Sequence, residues 1–412
     1  MPSSSKDNGA PDRAVLAGSS LCLPYATDSE TLIANLSQGK CLEKAAWFVS
    51  ERQARLCRMH QNKSAVRFDR QGRSVFDLLC KLIDNALLQA KLAPHQLTGD
   101  RVRVYLSGLG PRVDISDYYA FYHHNDIEDL KCVNSLRNLN VAAMSQDQLA
   151  TGLARHYDLA CLPPCLHCSS NSALSALHLG IQAIESAALD IVVVVNCSEI
   201  KTQDIHFLES QSMLEGEVVQ PFSDAGKCVL PSEGFSVLIV ERAGHRQARQ
   251  LAGGIELTSV YSQISAGRSN DSAQLASSLL KVMSSVMKKA QVGCDDLCAI
   301  IPHGNGSADS DRAEAQAIVS LLAESTVHVL AYKGQIGYVT TGSGIVDLII
   351  GHAALTDKKL ISPVGKEVIR ESISRHLLIN AGAISHNKEH LLKVGLGVDG
   401  SVIGIVMSGQ RQ

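Results

Sequence analysis

The sequence predicts an α/β fold with helices sandwiched between sheets, and three observations carry the prediction. Short apolar segments of strand length alternate with segments of helical period along most of the chain. Ile191-Val192-Val193-Val194-Val195 is an unbroken β-branched run, the pattern of a strand buried on both faces. The helical stretches after Ser170 and after Gly342 are apolar all round, which places them inside the protein.

Taken in order, residues 1–13 are polar and read as a disordered tail that lacks the apolar core of a signal peptide. Residues 14–22 read as a first strand and 27–36 as an amphipathic helix. Residues 41–73 are mixed, with many Arg and Gln, and are expected to cover the surface. Residues 74–91 make a strong helix, with Phe76, Leu79, Leu82, Ile83, Ala86 and Leu87 on one face. Residues 102–106 read as a short buried strand turned by Gly108-Leu109-Gly110-Pro111, and 145–157 as a helix packing Leu149, Leu153 and Ala154. Further on come a strand at 237–240, a charged connection at 242–249 and a strand at 257–262. A long helix at 272–290 leads to a strand at 297–301, a helix at 311–322 and a strand at 327–330. The apolar helix at 342–355 precedes strands at 377–380, 391–394 and 402–407. The charged connection divides the chain into halves, 14–250 and 251–412.

With 45% hydrophobic and 19% charged residues, the composition is that of a soluble globular protein. The net charge of -3 argues for neither nucleic acid nor an anionic membrane, and no apolar run is long enough to span a bilayer. The twelve cysteines sit mostly in apolar segments and, with no export signal, read as reduced small hydrophobes in a cytoplasmic protein. Cys161, Cys165 and Cys168 include a Cys-x-x-Cys spacing beside His167. No second paired cluster accompanies them and Pro163-Pro164 interrupts them, so they read as a Cys-rich turn rather than a metal site.

The stretch Leu166-His167-Cys168-Ser169-Ser170-Asn171-Ser172 opens one of the buried helices, with Leu174, Leu177, Ile181 and Ile184 at helical spacing. A turn of small polar residues at a buried helix N-terminus suits a nucleophile or an oxyanion, because free N–H groups and the positive end of the helix dipole point there. Cys168, Ser169 and Ser170 are the candidates for the special position. A second candidate is His303, which follows a predicted strand in Pro302-His303-Gly304-Asn305-Gly306. His178 reads as structural, and His123, His124, His386 and His390 as surface residues.

These segments resemble those of the β-ketoacyl synthases (ketosynthases) of the thiolase superfamily. Leu174-Ser175-Ala176-Leu177-His178-Leu179 and Asp190 resemble the family's Leu-x-Ala-Leu-His-Leu helix and the Asp before its buried strand. Pro221-Phe222 and Glu233-Gly234 resemble its Pro-Phe…Gly-Glu-Gly segment, with Ser232 at the first Gly. His303-Gly304-Asn305-Gly306-Ser307, followed by Asp311 and Glu314, resembles its His-Gly-Thr-Gly-Thr segment. Lys333-Gly334-Gln335-Ile336-Gly337-Tyr338 resembles Lys-Ser-Asn-Ile-Gly-His, and Gly395-Leu396-Gly397-Val398-Asp399-Gly400-Ser401 its Gly-rich C-terminal loop. The resemblance covers residues 15–407 in the family's order. It also departs twice: the register places Ser170 where the family has its catalytic Cys, and Tyr338 where it has its second catalytic His.

The resemblance implies a thiolase-like five-layer αβαβα sandwich of two pseudo-symmetric halves. It implies a homodimer joined through a strand near the nucleophile, either 191–195 or a neighbour. Substrate is expected on the phosphopantetheine arm of an acyl carrier protein, with no cofactor and no metal. A serine hydroxyl is far less acidic than a thiol, so acyl loading and condensation are not expected. Decarboxylation of a malonyl thioester needs only donors aimed at the enolate oxygen. The pattern resembles the ketosynthase-like decarboxylases of polyketide β-branching cassettes, in which Ser replaces Cys. On that resemblance Ser170, His303 and Tyr338 are the expected catalytic residues, with Lys333, Val398, Asp311 and Glu314 in support. A Ser-dependent acyltransferase and a non-catalytic partner similar to a chain-length factor remain the alternatives.

Overall fold

The computed structural model describes residues 12–125, 146–265 and 272–409. Most of the predicted tail at 1–13 and Ser145 therefore lie outside the described residues. Twelve strands occur among them: β1 Ala14–Cys22, β2 Val102–Ser107, β3 Cys165–Leu166, β4 Ile191–Ser198, β5 Gly234–Arg242, β6 Ile255–Ile264, β7 Leu297–Ile301, β8 His328–Val329, β9 Lys359–Ile361, β10 Ala383–Ser385, β11 His390–Leu396 and β12 Ser401–Ser408. Ten of them pair in the order β3-β2-β4-β5-β1-β6-β12-β11-β7-β8. The central joint is slight, with only Val15 and Leu16 of β1 in register with Glu256 and Ile255 of β6.

Outward from that joint the two sides repeat one pattern. β1–β5 and β5–β4 are antiparallel, then β4–β2 and β2–β3 are parallel. On the other side β6–β12 and β12–β11 are antiparallel, then β11–β7 and β7–β8 are parallel. The molecule is thus built of two pseudo-symmetric halves.

The layers follow from the two-residue period of the strands. Ile191, Val193 and Val195 of β4 pack with Leu78, Leu82 and Leu153 of the helices Val75–Gln89 and Gln146–His156. The intervening Val192 and Val194 pack with Leu174, Leu177 and Ile181 of the helix Ser172–Glu185, and with Ile345 and Leu348 of Ser343–Asp357. In the other half Leu391 faces these central helices. Leu392 and Val394 face Leu279, Val282 and Ile318 of the helices Ser272–Ala290 and Ala308–Leu322. The order of layers is therefore helix, sheet, central helices, sheet, helix, the thiolase-like sandwich. The two central helices approach so closely that a Cβ on Gly344 would lie 2.4 Å from Leu174 Cγ.

Several sequence expectations are corrected. Residues 41–73 do lie largely on the surface, but they are anchored from within: Trp47, Phe48, Ala54, Cys57, Met59 and Ala65 are buried in a cluster with Ile205, Leu208, Met213 and Tyr338. Residues 377–380 form no strand. Leu377 makes a single bridge to Val329, and Asn380, at φ 55° in the left-handed region, turns the chain toward Pro363. The charged connection contains the helix Ala243–Ala248, because His245, Arg246 and Arg249 converge on the fully buried Glu241 carboxylate. His386 and His390 are half-buried and pair with the Ala354 carbonyl and the Ser408 hydroxyl. The valine strand β4 lies between β2 and β5, so it offers no free edge; the end strand of this half is β3.

Candidate functional site

The turn before the first central helix is shaped by Ser169, which adopts φ 49° and reverses the chain just ahead of Ser170. Short polar contacts hold the reversal. Asn171 N–H donates to the Cys168 carbonyl at 3.0 Å, while Ser172 Oγ donates to the Ser169 carbonyl at 2.7 Å and accepts from Cys168 N–H at 2.9 Å. Asn171 Nδ2 donates to both the carbonyl and the hydroxyl of Ser401 at 2.9 Å, tying the turn to the Gly-rich loop that carries Val398.

Of the candidates in the turn, Ser170 is the one hydrogen-bonded to Tyr338, hydroxyl to hydroxyl. Ser170, Tyr338 and Val398 line both of two adjoining cavities, and no cysteine among the described residues lines either. The outer cavity, about 380 Å³, is polar and includes His303, Asn305, Ser310 and Lys227. The inner one, about 120 Å³, is walled by Leu109, Ile200, Phe207, Leu208 and Met213. Arg112 and Asp204 join its wall as a bidentate ion pair at 2.9 and 2.6 Å.

His303 follows β7 and is buried. Its ring meets the Tyr338 ring edge to face, with centroids 5.8 Å apart and planes at 88°. Burial, reinforced by the charges of Lys333 and Lys393, holds the imidazole well below its ordinary protonation range, so it is neutral and carries one ring N–H to donate. Its own backbone is fixed from behind. The Glu314 carboxylate accepts from His303 N–H and Gly304 N–H at 2.7 Å each, and Asp311 accepts from Phe222 N–H and Asn305 N–H at 2.8 and 3.2 Å. Burial pushes both carboxyls up, Asp311 to about 6.

Tyr338 is buried by the Trp47 and Phe48 cluster, and burial pushes its phenol up to about 12, so it stays a hydroxyl donor at physiological pH. The Asn305 carboxamide stands near the Tyr338 hydroxyl, outside full hydrogen-bond geometry, and its Nδ2 is buried without a partner among the described residues.

Ser170, His303, Tyr338 and Val398 therefore meet at one place. Lys333, Asp311 and Glu314 line neither cavity and lie behind it. Sequence reasoning missed Asn305 as a wall residue, the helix Thr202–Ser210 that roofs the inner cavity, and the buried pair Asp347 and Lys393. Lys393 carried a signal, a lone lysine between Leu392 and Val394 of an apolar strand.

The halves and the site define a protein of the thiolase-like ketosynthase fold. The β-ketoacyl synthase N-terminal domain is matched over residues 12–245 and the β-ketoacyl synthase C-terminal domain over residues 257–364, and the chain belongs to that family. Members of the family take acyl groups from the phosphopantetheine arm of an acyl carrier protein and use no metal or other cofactor. The pikromycin polyketide synthase component PikAII of Streptomyces venezuelae is 25% identical over 304 residues, 70% of this chain and 7% of that protein. The highly reducing polyketide synthase g433 of a Fusarium species is 26% identical over 223 residues, 52% of this chain and 9% of that one. The chain thus spans less than a tenth of the length of these relatives. Among solved structures, the ishigamide ketosynthase/chain length factor superposes with a TM-score of 0.83 at 16% identity, over 98% of this chain and 100% of that one. AntDE:AntF, a type II acyl-carrier protein in complex with its ketosynthase, gives 0.80 at 18% identity over 97% and 100%. At such identities these structures show the fold alone. No helix among the described residues is long and apolar enough to cross a membrane.

Proposed function

We propose that this protein decarboxylates a malonyl group held on an acyl carrier protein to the acetyl thioester, as a step of polyketide assembly. The observation that carries this reading is the meeting of Ser170, Tyr338 and neutral His303 in a cavity that no cysteine among the described residues lines. In the reaction the bond between the carboxylate and the α-carbon breaks, CO2 leaves, and the electron pair passes into an enolate with charge on the thioester oxygen. Donors aimed at that oxygen lower the barrier by about 3 kcal/mol each. His303 donates its ring N–H and Tyr338 its O–H; a water proton then quenches the α-carbon. Without a thiolate no acyl chain is loaded, and the sequence of reactions ends at acetyl.

The same reading makes an acyl carrier protein the partner, arriving at the outer polar cavity, and a homodimer the working form. It divides the chain near residue 250. The Ser-dependent acyltransferase is disfavoured because the Ser170 hydroxyl faces a phenol with a raised pKa rather than an imidazole base. The likeness to a ketosynthase/chain length factor favours one second reading, a non-catalytic partner. Incubation with malonyl carrier protein, followed by mass spectrometry of the carrier-bound group, separates the readings. Loss of CO2 that persists in Ser170→Ala supports decarboxylation; acyl-Ser170 supports transfer; an unchanged malonyl carrier supports the partner.

A further inference from the structure

Behind His303 lies a buried charge cluster. Lys333 Nζ donates to Asp347 Oδ2 at 2.7 Å, and Lys393 Nζ donates to the same oxygen at 2.5 Å. All three side chains are at most 2% exposed. Asp347 Oδ1 is buried without a partner among the described residues. Two ammonium groups thus converge on one carboxylate oxygen, and the buried Glu314 carboxyl also faces Lys393. Lys393 has one further contact, donating to the Pro302 carbonyl at 3.1 Å, immediately before His303.

Lys333 and Asp347 already form a buried ion pair. Lys393 is a second cation on the same oxygen, and it alone of the two is shown reaching the carbonyl before His303. Its charge is disfavoured by burial and by Lys333, while Asp347 and Glu314 favour it. We propose that Lys393 is a positioning residue: its ammonium, clamped between Asp347 and the Pro302 carbonyl, fixes the turn bearing His303 and sets the field that keeps the imidazole a neutral donor. Its part in catalysis rests on the decarboxylase reading; its effect on His303 does not.

The charged groups around His303 come from every neighbouring element. Lys333 lies on the short helix Lys333–Ile336, Asp347 on the second central helix, Lys393 on β11, and Asp311 and Glu314 on Ala308–Leu322. Removing Lys393 leaves the Lys333–Asp347 pair intact and takes one positive charge away from the ring.

The test reads the imidazole without substrate. In protein labelled with nitrogen-15 histidine, and with His303→Gln to assign the signal, the His303 ring is followed through a pH titration of wild type and Lys393→Met. Methionine keeps the aliphatic stem and removes the charge. The expected result is a folded variant whose His303 midpoint rises by about one pH unit, an about tenfold gain in proton affinity. An unchanged midpoint overturns the proposal, as does a Lys393→Met chain that does not fold, because the lysine would then be structural. Wild type supplies an independent arm: a protonated His303 at neutral pH also overturns it. If decarboxylation is absent but the midpoint moves, the functional reading falls and the role of Lys393 stands.

Discussion

The Ser170 and Tyr338 hydroxyls share a hydrogen bond at the junction of the two cavities, 168 positions apart in the chain. Two polar groups that departed separately from the family pattern are therefore one unit. In the proposed reaction the phenol donates to the thioester oxygen, so Tyr338→Phe is expected to slow acetyl formation about a hundredfold. Ser170→Ala removes only the neighbour of that donor and is expected to change the rate less than about tenfold, within the worth of one neutral hydrogen bond. Mass spectrometry of the carrier-bound group checks both; equal losses in the two variants would contradict the assignment.

Ser170→Cys places a thiol at a helix N-terminus, where the thiolate is favoured. The variant is expected to become covalently loaded by an acyl carrier protein and to be labelled at residue 170 by iodoacetamide. Peptide mass mapping reads the adduct, and wild type is expected to carry none at Ser170.

His303 makes stability pH-dependent. Its folded pKa lies well below the ordinary 6.5, so only the unfolded chain takes up this proton as pH falls below that value. Stability from this residue is therefore present above the unfolded pKa and is lost on acidification, by up to about 1.4 kcal/mol per pH unit. Asp311, raised from 3.8 to about 6, acts in the opposite sense, contributing stability at low pH that is lost as pH rises through that window. The difference between wild type and His303→Gln isolates the histidine. The variant's unfolding free energy is expected to gain on that of wild type steadily from about pH 6.5 to about pH 5. A constant difference in urea titrations would mean that His303 protonates in the folded state.

Gly344→Ala tests the contact between the central helices. The new Cβ would meet Leu174 Cγ at 2.4 Å and its two δ carbons at 2.7 Å, with both residues buried. Overpacking of this kind is expected to destabilise the protein by about 1–3 kcal/mol, measured by denaturant unfolding.

Much of the fold was legible because it rests on periodicity. The valine run of β4, the helix Ser272–Ala290 and the strand β7 are read directly from the spacing of apolar residues. Legibility failed where polar residues are buried by partners distant in the chain. Residues 41–73 are mostly exposed, as their composition suggests, yet Trp47 is buried and donates to Thr202 Oγ1, and the buried Lys63 pairs with Glu209. The helix Ala243–Ala248 has no apolar face; the buried charge of Glu241 holds its cations inward.

The sequence by itself determined the two apolar central helices, the strands they cover, and the residue types at the site, including serine and tyrosine in place of cysteine and histidine. Their joint meaning was decided by tertiary structure. The left-handed Ser169 turns Ser170 toward Tyr338, the Trp47 cluster buries the phenol and keeps it protonated, and three charged side chains from separate elements close behind His303. The turn at Ser169 is local, but the contacts of Ser170 with Tyr338 and of Asp347 with Lys393 cross long sequence separations, and their consequence for protonation follows from burial and nearby charge, which no local pattern encodes.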